Sequence, residues 1–161
     1  MELDPRVAMM PGSFDPITVG HVDVAERVSR IFRRVVIAVS RNAEKNSMFS
    51  AEERLAFAAA ATAHLDNVEC VLCEGLLSEC ARELGAGTLV KGVRGSVDFD
   101  YESQLAQIMR SFDPGLDSML VPARAEYAHI SSTYARELIR YGCDLERAIP
   151  MSVIPLLRER K

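Results

Sequence analysis

The sequence alternates short apolar runs with segments of helical periodicity, and this alternation constrains the fold more than any other feature. Five runs have the length and composition of strands, and they span residues 6–10, 34–40, 68–75, 88–93 and 118–123. Each is followed by a segment in which apolar residues recur every three or four positions, as on one face of a helix. Parallel strands joined by right-handed helical crossovers form a sheet covered on both faces. The sequence therefore predicts a doubly wound α/β fold with a five-stranded parallel sheet and helices on both faces.

Residues at the helix ends support this interpretation. Ser50 and Glu53 form a capping box at the start of an alanine-rich helix over 50–65, and Gly85 ends the next helix. A later helix, over 98–112, has apolar residues on one side, namely Leu105, Ile108, Met109 and Phe112. The closing segment, which reads DLERAIPMSVIPLLRERK, is also predicted to be helical.

Length, charge and hydropathy exclude several classes of protein. The 161 residues suffice for one domain with a substantial core, and no linker divides them, so residues 1–161 are predicted to form a single domain. The formal net charge of −4 argues against a protein that coats nucleic acid, which needs a basic surface. No run resembles a membrane span or a secretion signal. We therefore expect a cytoplasmic protein that binds neither nucleic acid nor membranes.

The four cysteines, Cys70, Cys73, Cys80 and Cys143, raise the question of a metal site. Cys70 and Cys73 have the C-x-x-C spacing of many zinc ligands. Here they lie in a predicted strand, VECVLC, where residues three positions apart point to opposite faces and cannot share a metal. We therefore expect structural thiols in a reducing compartment, and no metal site made by the protein.

Unusual polar segments follow the predicted strands, and the first of them is PGSFDPITVGH. Pro11 and Gly12 let the backbone turn sharply and approach a ligand closely. Ser13 adds a hydroxyl, and His21 falls at the start of the next helix, where free amides attract anions and an imidazole can donate to a phosphate oxygen. The alternative is a turn with a capping histidine, but the strand–loop–helix context favours a phosphate site.

Cationic residues follow the second and fourth strands. Lys45, in RNAEKNSMF, is either an anion contact or a solvated loop lysine, and both interpretations stay open. Where the fourth strand leaves the sheet, Lys91 and Arg94 lie on either side of Gly92, and Glu102 follows in the next helix. A lysine supplies a point charge and an arginine a bidentate fork, which suits the clamping of phosphates. The pair is therefore more typical of an anion site than of a surface charge cluster.

The fourth segment, HISSTYAR, opens the helix that follows the fifth strand. Ser131, Ser132 and Thr133 offer hydroxyls at the helix start, and Arg136 follows one turn later. Capping needs one hydroxyl, so several in succession favour a site for the terminal phosphates of a nucleotide. Ligands of such sheets bind beyond the carboxyl ends of the strands, where strand order reverses. All four segments are therefore expected to meet at one ligand site.

Taken together, these segments resemble those of a known family. GSFDPITVGH is similar to the T/S-x-G-H type motif of the small nucleotidyltransferases, which have a Rossmann-like fold. The succession PGSFDPITVGH, MFSAEER, KGVRGSVDFDYESQLAQ and ISSTYAR resembles the bacterial phosphopantetheine adenylyltransferases over nearly the whole chain. The first and fourth segments are shared with nicotinate mononucleotide adenylyltransferases and glycerol-phosphate cytidylyltransferases, whereas the third points to the pantetheine family.

The resemblance implies a reaction in which ATP and 4′-phosphopantetheine give dephospho-coenzyme A and pyrophosphate. This is the penultimate step of coenzyme A synthesis, with Mg²⁺ bound through the nucleotide phosphates and a homohexamer as the assembly. The positions that match the ATP-binding residues of the family are Ser13, Phe14, His21, Gly92, Val93, Arg94, Glu102, Tyr127, Ala128, His129, Ile130, Ser131, Ser132 and Thr133. Those that match its phosphopantetheine contacts are Ser13, Lys45, Leu77 and Lys91. Met109 stands where the family pattern leads us to expect asparagine.

The phosphate of phosphopantetheine is itself a competent nucleophile, so no protein nucleophile is expected. Positioning and electrostatics should then supply the acceleration. We expect His21 and Ser13 to act at the α-phosphate, with Lys45 and Arg94 completing the catalytic set. The alternatives are a nucleotidyltransferase with another acceptor and a nucleotide sensor that has lost turnover.

Overall fold

The chain alternates strands and helices as predicted, over the residues 2–41 and 47–159 that the computed structural model describes. The strands are β1 (Asp4–Gly12), β2 (Arg34–Ser40), β3 (Val68–Cys73), β4 (Ala86–Val93) and β5 (Asp117–Pro122). The α-helices are α1 (Val19–Ser29), α2 (Ala51–Thr62), α3 (Leu77–Leu84), α4 (Ser96–Phe112), α5 (Ser132–Arg140) and α6 (Ile154–Arg158). The predicted strands are confirmed, although β1 and β4 begin earlier than their apolar runs suggest.

The strands form one five-stranded sheet in the order β3-β2-β1-β4-β5, and every neighbouring pair is parallel. Met9, in the middle of β1, is paired with Val36 of β2 on one side and Leu89 of β4 on the other. The chain winds outward from β1 through β2 to β3, and then returns to the other side of β1 through β4. Strand order therefore reverses between β1 and β4.

Both faces of the sheet are covered, and the residues of β1 show how. Ala8 and Met10 belong to a buried cluster that includes residues of α1, α2 and α5. Val7 and Met9 belong to a second cluster, which includes residues of α3 and α4. Successive side chains of a strand point to opposite faces, so an uninterrupted apolar strand is what a doubly covered sheet requires. The predicted doubly wound α/β fold is confirmed.

Two predicted helix boundaries are found at the expected residues. Ser50 caps α2: its hydroxyl accepts from the Glu53 amide at 3.2 Å, and the Glu53 carboxylate accepts from the Ser50 amide at 2.7 Å. Gly85 ends α3 with a φ of 67°, a left-handed conformation that glycine adopts without steric cost.

Two helical predictions need correction. The apolar side predicted for α4 is divided: Met109 is buried, but Ile108 and Phe112 are 49% and 57% exposed. These residues lie on adjacent parts of the helix surface, and only one part faces α3 and the sheet.

The closing segment is also less helical than predicted, with a short 3-10 turn at Leu145–Arg147 before α6. Pro150 lies between them and cannot donate a helical hydrogen bond.

The cysteines depart from the expectation of free thiols. Cys73, the last residue of β3, forms a disulfide with Cys80 of α3, and their Cα atoms are 6.1 Å apart. The strand end and the following helix bring the two together, a proximity that the C-x-x-C spacing did not indicate. Cys70 and Cys143 are free, and burial raises the pKa of the Cys70 thiol.

None of the helices within residues 2–41 and 47–159 combines the length and the apolar character needed to cross a membrane.

Candidate active site

Two cavities open at the carboxyl ends of β1 and β4, where strand order reverses. The first cavity, of about 440 Å³, is lined by His21, Arg94 and Ser131 among others. The second cavity, of about 520 Å³, is lined by Leu77 and residues of α4. Both are bounded by the same small set of residues, which are Pro11, Gly12, Ser13, Lys91 and Arg136. Ligands in the two cavities would therefore meet at this shared boundary.

The loop between β1 and α1 shapes the first cavity. Phe14 has a φ of 47° and is buried, and its ring packs edge-on against His21 with the ring centroids 5.1 Å apart. A Cβ atom on Gly12 would lie 3.0 Å from that ring, so this position leaves little room for a side chain. Gly12 thus lets the loop fold back over its own strand, which brings Ser13 to the boundary of the two cavities.

His21 is fixed by a capping box at the start of α1. The Thr18 amide donates to His21 Nδ1 at 3.0 Å, so Nδ1 must be the unprotonated nitrogen and Nε2 carries the ring proton. Burial, together with the charges of Arg94 and Lys91, lowers the pKa of His21 to about 4. His21 is therefore a neutral hydrogen-bond donor at the wall of the first cavity.

Lys91 lies at the boundary of the cavities and is held by two contacts. Its Nζ is 3.3 Å from Glu102 Oε1 and donates to the carbonyl of Pro11 at 3.5 Å. The other carboxylate oxygen, Glu102 Oε2, is buried and has no hydrogen-bond partner among the described residues. The ammonium group therefore has a defined place beside the end of β1.

Arg94 connects the end of β4 with the loop before α5. Its Nε donates to Asp98 Oδ2 at 2.9 Å, and its Nη1 donates to the carbonyl of Ile130 at 3.5 Å. The carboxylate and the carbonyl hold the guanidinium at the wall of the first cavity, where its charge helps to lower the pKa of His21 after burial, the larger cause.

The three hydroxyls at the start of α5 all have partners within the protein. Ser131 Oγ accepts from the Tyr134 amide at 3.0 Å and so caps the helix. Ser132 Oγ donates to the carbonyl of Pro16 at 2.8 Å, and Thr133 Oγ1 accepts from Arg136 at 3.1 Å. The first-turn amides of a helix have no partners within it, so they are the better anion-binding groups here.

Most of the predicted site residues line the cavities. The first cavity is lined by Ser13, Phe14, His21, Gly92, Arg94, Glu102, Tyr127, Ile130, Ser131, Ser132 and Thr133. The second is lined by Ser13, Leu77 and Lys91. Among the described residues, Val93, Ala128 and His129 line neither cavity, because Val93 is buried in the fold and the other two are exposed. Lys45 lies outside the described residues. Met109, on the buried side of α4, belongs to the second core cluster and lines neither cavity.

Two buried charged residues beneath the site were not predicted from the sequence. The Asp15 carboxylate accepts from the amides of Met48 and Phe49 at 2.9 and 3.0 Å, and the Asp15 carbonyl accepts from Arg136 at 2.7 Å. Arg54, in the first turns of α2, donates to main-chain carbonyls of the loops. The Asp15 carboxylate also pairs with the Arg136 side chain of α5, at 3.6 Å. The other partners of the two residues are main-chain atoms, which leave no motif in the sequence.

Comparisons with known proteins identify relatives along most of the chain. A family model described as cytidylyltransferase-like matches residues 9–138. The phosphopantetheine adenylyltransferase of Chloroflexus aggregans is 44% identical over 155 residues, which cover 96% of this chain and 96% of the relative. The phosphopantetheine adenylyltransferase of Symbiobacterium thermophilum is 42% identical over 153 residues, with 95% of this chain and 94% of the relative covered.

The fold also has a solved counterpart. The crystal structure of a candidate nicotinate-nucleotide adenylyltransferase from Vibrio parahaemolyticus matches with a TM-score of 0.73 and covers 98% of this chain and 93% of its own. Its sequence identity of 23% supports a shared fold and nothing finer. The family match and the full-length relatives are more specific, and they show that this chain belongs to the cytidylyltransferase-like family and, within it, to the phosphopantetheine adenylyltransferases.

Proposed function

We propose that this chain transfers the adenylyl group of ATP to 4′-phosphopantetheine by direct in-line attack, releasing pyrophosphate and forming dephospho-coenzyme A. The observation that carries the proposal is the pair of cavities with a common boundary at Ser13 and Lys91. Two phosphorylated substrates, one in each cavity, would bring their phosphates together at that boundary. A transfer between them then needs no covalent enzyme intermediate.

In this proposal ATP occupies the first cavity and phosphopantetheine the second. The first cavity carries Arg94 and the amides at the start of α5, which suit the β- and γ-phosphates. The second cavity is lined by Leu77, Tyr101 and Leu105, whose apolar atoms suit an uncharged pantetheine arm. Lys91 would contact the acceptor phosphate, and Lys45 is proposed to do the same.

The chemical step is a substitution at the α-phosphorus of ATP. An oxygen of the acceptor phosphate forms a bond to that phosphorus, the bond to the bridging oxygen breaks, and pyrophosphate leaves with the electron pair. The charge that builds on the α-phosphate oxygens is stabilised by the Nε2 proton of His21, with Ser13 aligning the reacting groups. Because His21 is neutral, it acts as a hydrogen-bond donor and transfers no proton.

The described residues contain no group of three His, Cys, Asp or Glu side chains that could hold a metal ion. The carboxylates at the first cavity also pair with cations, Asp98 with Arg94 and Glu102, through Oε1 alone, with Lys91. This donor set fits a Mg²⁺ ion that arrives on the triphosphate, where it would neutralise phosphate charge. No step above depends on it.

The assembly and the cell compartment are proposed from the family. We expect a homohexamer in the cytoplasm. Several large apolar side chains of α4 are exposed, among them Phe99, Ile108 and Phe112. They support an assembly because monomeric proteins seldom expose several such groups together.

A panel of acceptors tests the proposal. The purified protein is incubated with ATP or CTP and with phosphopantetheine, nicotinate mononucleotide or glycerol phosphate, and pyrophosphate release is measured. We expect release with ATP and phosphopantetheine alone. Release with another pair would identify a different nucleotidyltransferase, and ATP binding without release on any acceptor would identify a nucleotide sensor.

A further inference from the structure

We infer that Arg54 is a positioning residue that holds the loop after β1 in the geometry needed for adenylyl transfer. This inference rests on the proposed function and adds to it a residue that contacts neither cavity. Arg54 is 1% exposed and is among the largest fully buried side chains of the chain. A buried arginine is uncommon, so its surroundings must explain why it is there.

The guanidinium of Arg54 joins three separate parts of the chain. Its Nη1 donates to the carbonyl of Ser13 at 2.5 Å and to the carbonyl of Ser40 at 2.8 Å. Its Nε donates to the carbonyl of Phe49 at 3.2 Å. Ser13 follows β1, Ser40 ends β2, and Phe49 precedes α2. One side chain therefore links the carboxyl ends of two neighbouring strands to the helix that carries it.

The positive charge of Arg54 is partly compensated by two carboxylates, those of Asp15 and Glu52. Burial lowers the pKa of Arg54, while the carboxylates of Asp15 and Glu52 oppose that change. Asp15 accepts hydrogen bonds from the amides of Met48 and Phe49, so the same short segment is bound by a carboxylate and by a guanidinium. Two sets of hydrogen bonds thus join the loop after β1 to the start of α2: Asp15 of the loop binds the segment before α2, and Arg54 of α2 binds Ser13 of the loop.

A role in packing alone does not account for these contacts. A methionine would occupy a similar volume, whereas the planar fork of arginine can reach several carbonyls at fixed angles. One of those carbonyls belongs to Ser13, which lies at the boundary of the two cavities. A shift of that loop would separate the acceptor phosphate from the α-phosphate, and in-line transfer is sensitive to small displacements.

The test uses Arg54→Lys, which keeps the charge but cannot reach three carbonyls, and Arg54→Ala, which leaves room for free guanidinium. Arg34→Met is the matched control, because Arg34 also donates to a main-chain carbonyl, that of Leu84, but at the opposite end of the sheet. For each variant we measure kcat, both KM values, ATP affinity by calorimetry and thermal unfolding.

We expect Arg54→Lys to fold and to bind ATP within about threefold of the wild type, while its kcat falls by about tenfold to a hundredfold. Arg34→Met should keep the wild-type kcat, and added guanidinium should restore part of the kcat that Arg54→Ala loses. A wild-type kcat in Arg54→Lys would overturn the inference. Failure of Arg54→Lys to fold would overturn it too, because Arg54 would then serve the core and not the site.

The two proposals fail in different ways. If the proposed function is wrong, the wild type itself releases no pyrophosphate with phosphopantetheine. If only the inference about Arg54 is wrong, the wild type turns over and Arg54→Lys matches it.

Discussion

His21 shows how a single hydrogen bond decides what a side chain can do. The Thr18 amide can only donate, so its bond to Nδ1 leaves the ring proton on Nε2. Burial, and after it the charges of Arg94 and Lys91, disfavour a second proton on the ring. The first cavity therefore contains a neutral donor flanked by two cations.

Replacement of His21 tests this donor. His21→Ala should lower kcat by about 10²–10³-fold, the usual loss when one donor to a developing oxyanion is removed. His21→Gln keeps an N–H donor and should lose less. Stopped-flow measurement of pyrophosphate release provides the rates, with His64→Ala as the control, since His64 pairs with Glu26 on the exposed surface. Turnover of His21→Ala equal to that of the wild type would remove His21 from the chemistry.

The lowered pKa of His21 also predicts how stability depends on pH. As pH falls, the unfolded chain binds a proton at His21 near the ordinary pKa of 6.5, whereas the folded protein binds it only at about 4. The stability that neutral His21 contributes is therefore fully present above pH 6.5 and is lost as pH falls from 6.5 towards 4.

Urea unfolding of the wild type and of His21→Gln at two values of pH measures this effect. Between about pH 7.5 and about pH 5, the wild type should lose more unfolding free energy than His21→Gln. The comparison cancels the titration of all other groups. Equal losses in the two proteins would mean that the pKa of His21 is not lowered.

Lys91 tests the division of the substrates between the two cavities. Lys91→Met should raise KM for phosphopantetheine by about tenfold or more, because a point charge beside the acceptor phosphate is lost, while ATP affinity changes by less than about threefold. Steady-state kinetics measures the KM, and titration calorimetry measures the affinity for each ligand. Arg110→Met is the charge-matched control, since Arg110 lies on the exposed side of α4. Similar losses of affinity for the two ligands would contradict the assignment of separate cavities.

Among the elements, α2 links local sequence to the site most directly. Its capping box sets where the helix begins, and Arg54 lies one turn further on. Ser50→Ala should reduce the free energy of unfolding by about 1 kcal/mol, because the Glu53 amide loses its acceptor. Ser50→Thr keeps the hydroxyl oxygen and should reduce the free energy of unfolding by only a few tenths of a kcal/mol. Urea denaturation measures the difference, and equal stability of Ser50→Ala and the wild type would exclude a capping contribution.

The elements themselves could be predicted because their signals are local. Apolar runs predicted the five strands, and Ser50 and Gly85 predicted the start of α2 and the end of α3. The side of α4 that faces the core could not be predicted, because Met109 and Phe112 are equally apolar and only the placement of α3 distinguishes them. The Cys73–Cys80 contact was missed for a similar reason, since it depends on how a strand end and a helix come together.

At the scale of the whole molecule, the position of the site follows from sheet topology. Residues at the end of β4 or in the segments that follow β1 and β4, such as Lys91, Arg94 and His21, could be predicted because strand ends of a parallel sheet share one edge. The contacts of Asp15 and Arg54 could not, because they involve main-chain groups and, for Asp15, the Arg136 side chain of a helix far along the chain. The Ser131 hydroxyl caps α5 and the Ser132 hydroxyl donates to the carbonyl of Pro16, while a phosphate site at the amides of this helix start stays a prediction.

The assembly can be tested through the exposed face of α4. Light scattering should give six times the 17.8 kDa mass of the chain for the wild type. Phe112→Asp should lower that mass, because burying a carboxylate in an apolar contact is unfavourable. Ile31→Asp, on an exposed side chain outside α4, serves as the control and should keep the wild-type mass. A monomeric wild type would exclude the hexamer.

The boundary that the two cavities share also bears on inhibitor design. A compound that carries an adenosine-like group at one end and a pantetheine-like chain at the other would fill both cavities at once. Once one end is bound, the tether keeps the other at a high effective concentration, which can strengthen affinity by about 10²–10⁴-fold over either half. The linker, lying beside Ser13 and Lys91, is the part whose length and charge would matter most.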